Sequence, residues 1–495
     1  MWLPSEFDSS EPAPQTVFGY VSVNSQGGQS ALEVQDPARL AATVEAYRAR
    51  PADLRRAGAA VESAGLQVTA ESRLGLAVAG PPGAFEELTG GSVVAKERLL
   101  RAEAGRQRFV THLDIVGSGQ PEALGVGLAR SAAARIEGVL LERPRIPLAG
   151  SPSPIPPGIT KFHLRVPDDV AVLLNATAAH REGHDGAGVN VAMVDSGQYA
   201  HPFFLAHHYD VRPAVSLVPG ASPAKDPVGH GTGESANIFA VAPAATLRPY
   251  RASNNQGHLV AAIGGFLRAK GDSPHILTNS WGGDGPFPPP GGLDEFDQVW
   301  SLEISDAIDQ GIVVVFSAGN GQFSVEPQVP GVLAAGGAYV GPGLTLQAST
   351  YASGYMSPWF TGVNVPLVCG LVGLRPRAQY LLLPVPPGCE IDIDESQAVI
   401  GDSADGTLRD DGWALFSGTS AAAPQLAGSA ALVLGAKAGL TPAQVREALS
   451  ATAIDVTAGR CNPRYNEPAA AGPDVATGHG LVNARGAVRY AMTQF

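Results

Sequence analysis

Three apolar runs in the second half of the chain each end in a short loop of small and polar residues. They are VNVAMVDSG (189–197), HILTNSWGG (275–283) and GIVVVFSAGNG (311–321). Continuous apolar runs of this length are typical of parallel strands buried on both faces. Helical stretches such as HLVAAIGGFLRAKG alternate with them. The alternation predicts an α/β fold with a doubly wound parallel sheet and helices on both faces, and a site in the loops at the carboxyl ends of its strands.

The first 150 residues follow a different pattern of shorter strands and helices. Leu40, Val44 and Tyr47 keep helical spacing, Pro51 breaks that pattern, and we expect a second helix to run to Gly65. The other predicted elements are the strands TVFGYVSV (16–23), LQVTAES (66–72), LGLAVAG (74–80) and SVVAKERL (92–99) and the helix GAFEELTG (83–90). Their order, βαββαβ, predicts a small ferredoxin-like α+β domain. A hairpin is expected within residues 100–145, whose last part, ARIEGVLLERPRIP, fits no predicted element.

The segment IPLAGSPSPIPPG (146–158) separates the two patterns. It is rich in Pro, Gly and Ser, which predicts a linker. We therefore expect a small domain over residues 1–150, a linker to about residue 158, and a large α/β domain over residues 159–495. A chain of 495 residues is long enough for both.

Composition excludes some classes of function. The chain is 44% hydrophobic and 16% charged, so it can bury a sizeable core. Its formal net charge of −13 argues against nucleic acid as a partner. The three cysteines, Cys369, Cys389 and Cys461, are too few for a disulfide framework, although Cys369 and Cys389 could pair. Their odd number leaves at least one thiol free, which favours a reducing compartment.

The amino-terminal stretch MWLPSEFDSSEPAPQ lacks the basic and apolar regions of a secretory signal. No apolar run approaches the ~20 residues needed to span a bilayer. We expect a protein that does not contact membranes and is cytoplasmic as encoded. Export by a non-classical route stays open.

The stretch LFSGTSAAAPQLAGSAALVL (415–434) places a lone hydroxyl, Ser420, where a small-residue loop becomes an apolar helix. Two explanations fit. A serine at a helix start can cap a free backbone N–H, with Pro424 tolerated in the first turn. Alternatively, Ser420 is a nucleophile, because unpaired N–H groups at the positive end of a helix can hold an oxyanion.

Three further polar residues decide between these explanations. Asp195 follows a buried strand, His230 lies in DPVGHGTGES, and Asn320 lies in SAGNG. Each has an ordinary explanation alone, as a turn acid, a surface histidine or an Asn-Gly turn. Together with Ser420 they supply a nucleophile, a base of suitable pKa, a carboxylate that orients the base, and an amide donor for an oxyanion.

At these residues the chain resembles the subtilisin-like serine peptidases, the subtilase family. VAMVDSG is similar to the family's aspartate motif, GHGTG to its histidine motif and SGTSAAAP to its serine motif, in the family order. SAGNG is similar to the motif of the oxyanion asparagine, and VAPAATL and GHGLVNARGAV match recurring family segments. The resemblance covers roughly residues 160–495. It implies a subtilisin-like fold and a serine endopeptidase with a catalytic triad of Asp195, His230 and Ser420 and an oxyanion hole that includes Asn320.

The resemblance also implies where an extended peptide binds. NSWGG resembles the strand that binds substrate backbone, so Ser280, Trp281 and Gly282 are expected to contact substrate. The opposite rim is expected near Gln256–His258, with Gly257 at its centre.

Several departures from the family pattern put specificity in doubt more than catalysis. The histidine motif reads H-G-T-G and is followed by Glu234, which we interpret as a helix-start acid favoured by the helix dipole, although it is similar to the Glu of the related sedolisins. Trp281 replaces the commoner Leu, so substrate subsites could differ. NVPLVCGLVG departs from the usual P-D-x-x-A-P-G, and a long acidic insertion follows it.

The resemblance implies no cofactor for catalysis, and structural calcium is an open alternative. EIDIDES (390–396) and SADGTLRDDGW (403–413) bring carboxylates together as a hard cation would need, but not at EF-hand spacing. A solvated acidic loop is the favoured explanation, so no metal ligand is assigned.

Residues before 150 resemble the family's inhibitory, fold-assisting propeptide in element order alone, and an unrelated accessory domain is the alternative. The expected partners are a polypeptide substrate and either this N-terminal domain or a separate inhibitor protein. Two rivals to a general endopeptidase stay open. One is a processing peptidase for a single cognate peptide or protein, and the other is a catalytically silent, peptidase-like binding module.

Overall fold

A mainly parallel sheet forms the centre of the computed structural model, which describes residues 6–8, 14–32, 44–101, 107–117, 125–128, 135–143, 146–147, 161–397 and 404–495. The parallel strands lie in the order Asp210–Val211, Thr246–Arg251, Asn190–Asp195, Ile276–Asn279, Val313–Ser317 and Leu333–Val340. Val215–Ser216 and Val368–Leu371 add parallel pairs, and Leu346–Ala348 adds an antiparallel edge. The predicted doubly wound sheet is confirmed.

Helices cover both faces of the sheet, because the side chains that point to each face of its strands are apolar. In Asn190–Asp195, Val191 and Met193 belong to one buried cluster, whereas Ala192 and Val194 belong to another. The first cluster includes residues of the helices Asp168–Leu173, Ala176–Arg181, His230–Val241, Thr419–Ala436, Pro442–Ala451 and Ala484–Gln494. The second includes residues of Ala262–Gly271 and Glu295–Asp309. Below, His230–Val241 is the histidine helix and Thr419–Ala436 is the serine helix.

Smaller elements complete the large α/β part. Leu164–Arg165, Leu381–Pro384 and Trp413–Phe416 form a three-stranded sheet, and Tyr355–Met356 pairs with Asn364–Val365. The short helices are Pro202–Ala206, Glu326–Gln328, Pro342–Leu344 and Glu390–Ser396.

The N-terminal sheet has the strand order of a ferredoxin-like fold, but one of the predicted strands belongs to a different sheet. Its antiparallel order is Gln67–Glu71, Gly75–Gly80, Val17–Val23, Ile136–Leu141 and Val126–Leu128. The helices Pro51–Ser63 and Pro82–Thr89 pack on it, and Val44–Tyr47 is a single 3₁₀ turn. Leu40, the other end of the predicted first helix, lies outside the described residues.

The fourth strand of this sheet is Ile136–Leu141, in the segment that fitted no predicted element. The predicted fourth strand instead belongs to the hairpin Ser92–Arg101 with Gln107–Val116, which Glu6–Asp8 extends. Both segments favour a strand by sequence. The free edge of Val17–Val23 accepts Ile136–Leu141, a choice that local pattern cannot make.

The N-terminal sheet packs its free face on the helices Ala262–Gly271 and Glu295–Asp309, where a buried charged group joins the two parts. Tyr20, Leu74 and Ala77 share an apolar cluster with Ile263 and Val299. The charged group, called the interface cluster below, comprises Tyr20, Ser72, Arg73, Lys270, Glu303 and Asp306.

The predicted linker does not begin as a free segment. Ile146–Pro147 is a short strand that pairs antiparallel with Trp281–Gly282. Residues 148–158, the rest of the predicted linker, lie outside the described residues. Two residues at the start of this segment are therefore held on the large α/β part, because the exposed edge of Trp281–Gly282 supplies the backbone partners that a linker lacks.

The three cysteines are buried and free, so the pairing of Cys369 with Cys389 is wrong. Cys369 lies in the strand Val368–Leu371, and its Sγ donates to the Thr477 carbonyl (3.3 Å). Among the described helices, none has the combination of length and apolar character that crossing a membrane requires.

Candidate active site

Three of the predicted site residues are brought together by adjacent strands. Asp195 ends the strand Asn190–Asp195, Ser280 follows Ile276–Asn279, and Asn320 lies in the loop after Val313–Ser317. These three strands are neighbours and run parallel. Their carboxyl ends therefore meet at one edge of the sheet.

Asp195 and His230 form a buried pair. Oδ1 of Asp195 lies 2.6 Å from Nδ1 of His230 and also accepts the Ser196 N–H at 2.6 Å. Both side chains are almost fully excluded from solvent. A short bond to Nδ1 assigns the proton to that nitrogen and leaves Nε2 as the basic atom of a neutral imidazole.

The start of the histidine helix is fixed by Asp226, a residue that the sequence interpretation missed. Its carboxylate accepts the N–H groups of Gly229 (2.9 Å) and Thr232 (2.8 Å) and the hydroxyl of Ser196 (2.8 Å). Gly229 has a left-handed φ of 90°, and a Cβ there would overlap the Cys389 sulfur. The signal was present in the acid four residues before His230, since such acids satisfy the free N–H groups of a helix start.

Ser420 is the second residue of the serine helix, and a proline one turn later shapes its surroundings. Pro424 is the sixth residue of this helix, so its predicted place in the first turn is wrong. A proline has no N–H to give to the carbonyl four residues before it, here that of Ser420. That carbonyl accepts the Ser280 hydroxyl instead (2.8 Å), while the Ser420 hydroxyl donates to the Ser280 carbonyl (3.1 Å).

Asn320 is held against the start of the same helix. Its Oδ1 accepts both the backbone N–H (2.8 Å) and the hydroxyl (3.0 Å) of Thr419. Thr419 also accepts the Gly319 N–H through its hydroxyl (3.0 Å). The carboxamide is thus oriented by its oxygen end, beside the N–H of Ser420.

Two of the expected pairings are present and one is not. Asp195 bonds to His230, and Asn320 bonds to Thr419, the residue before Ser420. His230 and Ser420 are not hydrogen-bonded, because Nε2 of His230 has no partner in the described part of the chain and the Ser420 hydroxyl is directed at Ser280.

The electrostatics of the pair are set by three carboxylates. Burial alone lowers the pKa of His230, but Asp195, Glu234 and Asp226 outweigh it and raise the pKa to about 9. Glu234 is the fifth residue of the histidine helix and is completely buried, so its interpretation as an exposed helix-start acid is wrong. Burial raises the pKa of Glu234 to about 8, against the attraction of His230.

The predicted peptide-binding strand presents its backbone. Trp281 pairs with Pro147 and Gly282 with Ile146. The Trp281 side chain is completely buried, donates to the Val194 carbonyl (2.7 Å) and packs on Trp300 and Phe316. A substrate could therefore contact Trp281 only through the backbone.

The segment predicted to form the opposite rim is a tight turn. Gly257 has a left-handed φ of 86°, and a Cβ there would lie 3.5 Å from Oε2 of Glu390. Glu390 begins the helix Glu390–Ser396, which bonds through its first two N–H groups to the carbonyls of Pro227 and Val228. The acidic insertion thus reaches the rim of the site.

Two carboxylates of this insertion bond to protein groups. Asp392 accepts the Gly388 N–H (2.7 Å), and Glu395 pairs with Arg377. Within the described ranges no three acidic, histidine or cysteine side chains are arranged to hold a metal ion. No residue is therefore assigned to calcium.

Comparison with known proteins adds the family to this geometry. The model of the subtilase family matches residues 186–480, more than half of the chain. Subtilisin NAT of Bacillus subtilis subsp. natto is 28% identical over 293 residues, which are 57% of this chain and 64% of that protein. Subtilisin Savinase of Lederbergia lenta is 25% identical over 330 residues, which are 64% of this chain and 96% of that protein.

A solved structure agrees in fold. Fervidolysin from Fervidobacterium pennivorans, described as a keratinolytic enzyme related to subtilisin, matches with a TM-score of 0.54 and 18% sequence identity. The match covers 97% of this chain and 62% of that one. The chain spans 64% of the length of the first curated relatives.

Proposed function

This chain belongs to the subtilase family, and from that premise we propose that it is a serine endopeptidase. The observation that carries the proposal is the buried Asp195–His230 bond (2.6 Å), beside a serine helix that begins at Thr419. A buried carboxylate on Nδ1 is the arrangement that prepares an imidazole to take a proton at Nε2.

The proposed reaction begins at Ser420. Its hydroxyl turns from the Ser280 carbonyl to Nε2 of His230, gives up its proton there and attacks the scissile carbonyl carbon. Asp195 stabilises the imidazolium that forms. The carbonyl oxygen becomes an oxyanion, which the N–H of Ser420 and the amide end of Asn320 stabilise.

The intermediate then collapses in the usual two stages. His230 returns the proton to the leaving amine, and the carbon–nitrogen bond breaks to give an acyl-enzyme. A water molecule, deprotonated by His230, hydrolyses the ester and restores the Ser420 hydroxyl. Both stages use the same three side chains, together with the oxyanion donors at Asn320 and the Ser420 N–H.

The proposed substrate is an extended polypeptide that adds a strand to Trp281–Gly282. The pairing of Ile146–Pro147 with this strand supports the proposal, because it uses backbone partners that a substrate would use. It also supports the N-terminal domain as an internal partner that occupies part of the cleft. A separate inhibitor protein would have to displace Ile146–Pro147 to bind there.

The test is labelling with a fluorophosphonate probe, followed by intact-mass and peptide mass spectrometry, with Ser420→Ala as control. We expect one adduct at Ser420 in the parent and none in the variant. An adduct on a chain shortened near residues 146–158 would add self-processing. A parent that stays unlabelled even after the N-terminal part is removed by limited proteolysis would overturn the proposal.

One observation favours a second candidate, the silent binding module. The Ser420 hydroxyl bonds to Ser280, and Nε2 of His230 is unpartnered in the described residues. A module that only binds peptides would keep this arrangement. Tight binding of a peptide by an unlabelled chain would support this second candidate.

A further inference from the structure

A second carboxyl group lies on the other side of the His230 ring from Asp195. Glu234 follows His230 by one helical turn, and its Oε1 is 3.8 Å from Nε2 of His230. Both side chains are completely buried. Within the described structure neither Oε1 nor Nε2 has a hydrogen-bond partner.

The position of Glu234 is fixed by a chain of hydrogen bonds that reaches the serine helix. Its Oε2 accepts from Asn237 (3.0 Å), whose carboxamide oxygen accepts from Gln425 (3.1 Å). Gln425 in turn accepts the backbone N–H of Leu371 (2.7 Å). The carboxyl cannot turn away from His230 without breaking this chain.

A buried, unpaired carboxyl oxygen at this position lowers the stability of the fold, which indicates that a function requires it. An unpaired polar atom buried in protein costs about 1–3 kcal/mol. An apolar side chain of similar size would fill the same space without that cost. Unpartnered buried polar atoms of this kind are typical of functional sites.

The other titratable groups around His230 and Glu234 cannot take the place of Glu234 beside Nε2 of His230. Asp195 lies on the Nδ1 side, and Asp226 is bonded to Gly229 and Thr232. On the serine helix, Ser420 and Gln425 are neutral. Burial raises the pKa of Cys389, beside Gly229, well above its usual value, so its thiol is neutral. On the helix Asp168–Leu173 the acids lie near the surface, where Asp169 pairs with Arg165.

We propose that Glu234 is a positioning residue that acts through His230. At neutral pH the Glu234 carboxyl and Nε2 of His230 share one proton, so Ser420 gains its base only when that proton is lost to solvent at higher pH. The inference rests on the proposed function and adds a control that Asp195, His230 and Ser420 alone would not provide.

The direction of the effect follows from the charges. An ionised Glu234 favours the imidazolium form, and burial favours a proton on Glu234. Both raise the pH at which the pair is free of its extra proton, consistent with the raised pKa of each group. Removing the carboxyl charge must therefore lower the pH at which His230 becomes a neutral base.

The first test measures the rate of fluorophosphonate labelling of Ser420 across acid, neutral and alkaline pH. In Glu234→Gln we expect the midpoint of the acid limb to fall by about 1–3 pH units relative to the parent, with a similar alkaline plateau. The labelling rate at acid pH then rises about tenfold for every pH unit by which the midpoint falls. Glu234→Asp, which keeps a carboxyl, should bring the midpoint part of the way back to that of the parent.

Glu447→Gln is the matched control. It removes the same charge from the exposed face of Pro442–Ala451 and should leave the profile unchanged. An unchanged midpoint in Glu234→Gln, or an equal loss of labelling at every pH, would overturn the inference.

A second measurement does not depend on activity. Imidazole nitrogen NMR of Ser420→Ala, with and without Glu234→Gln, reports the titration of His230 directly. We expect the titration midpoint of His230 to fall in the same way. If the parent never labels but Glu234→Gln lowers the His230 midpoint, the proposed function alone is contradicted. If the parent labels but Glu234→Gln leaves that midpoint unmoved, only the role of Glu234 is contradicted. If Glu234→Gln fails to fold, Glu234→Asp and Glu234→Val replace it, and an unmoved His230 titration in Glu234→Val overturns the inference.

Discussion

This protein has two buried clusters of acidic side chains, the interface cluster and the residues around His230. They differ in how many carboxylate oxygen atoms have hydrogen-bond or ion-pair partners. In the interface cluster, Glu303 accepts from Tyr20 (2.6 Å) and Ser72 (2.7 Å) through one oxygen and pairs with Lys270 through the other. Asp306 pairs with Arg73 and Lys270 and accepts from Gln310. Around His230, by contrast, one oxygen of Asp195 and one of Glu234 have no partner among the described residues.

This difference matches two different roles: the paired cluster attaches the N-terminal sheet, and the cluster around His230 has the proposed chemical role. Carboxylates whose two oxygens are both paired hold two surfaces in a single relative position, because removing a partner leaves a charge buried and alone. Unpartnered atoms cost stability, and they leave room for protons to move and a substrate to bind. The N-terminal sheet is attached through the first kind of group, and His230 lies in the second.

Loss of the proposed nucleophile should abolish catalysis and leave the stability of the fold almost unchanged. In Ser420→Ala we expect peptidase turnover to fall by about 10⁴-fold or more, since no other hydroxyl takes the same place. The midpoint of urea unfolding should barely change, because one small buried hydroxyl is lost. Turnover that survives in this variant would refute the assignment of Ser420.

Loss of Glu303 should weaken the attachment of the N-terminal sheet. In Glu303→Ala the buried Lys270 loses a partner, and we expect a loss of about 3–5 kcal/mol in the free energy of unfolding or of docking of the N-terminal sheet. Urea unfolding and limited proteolysis measure it, with the exposed Glu62→Gln as control. The rate of Ser420 labelling, once the cleft is open, should not fall. Equal stability of Glu303→Ala and the parent would contradict the structural role.

Asn320→Ala should weaken the chemistry by a smaller amount. We expect kcat to fall by about 10²–10³-fold with KM nearly unchanged, because the donor acts on the oxyanion and not on the bound substrate. Steady-state kinetics on a peptide substrate measure both. A change confined to KM would place Asn320 in substrate binding instead.

The smallest effect is expected at the start of the histidine helix. Asp226→Ala leaves the N–H groups of Gly229 and Thr232 without their acceptor. We expect a loss of about 1–2 kcal/mol in the free energy of unfolding and a modest fall in kcat as His230 loses its fixed position. Asp226→Asn, which keeps an oxygen acceptor, should recover part of both. No change in either quantity would show that the helix start does not need this cap.

Much of the fold was predictable because its signals are local. The apolar runs around Val191, Leu277 and Val314 identify strands buried on both faces, and small-residue loops mark their ends. The N-terminal order βαββαβ was also predictable, but its last strand was not. Ser92–Arg101 and Ile136–Leu141 both have strand propensity, and only the free edge of Val17–Val23 selects between them.

The sequence by itself determined which side chains could do chemistry, because Asp195, His230, Asn320 and Ser420 lie in short motifs whose loop geometry is local. Only the tertiary structure decided which acids are paired and which are not. Glu234 is polar by sequence but buried against His230, and Ile146–Pro147 belongs to a linker by composition but pairs with Trp281–Gly282. Burial and pairing depend on contacts between residues far apart in the chain, and local sequence carries no record of them.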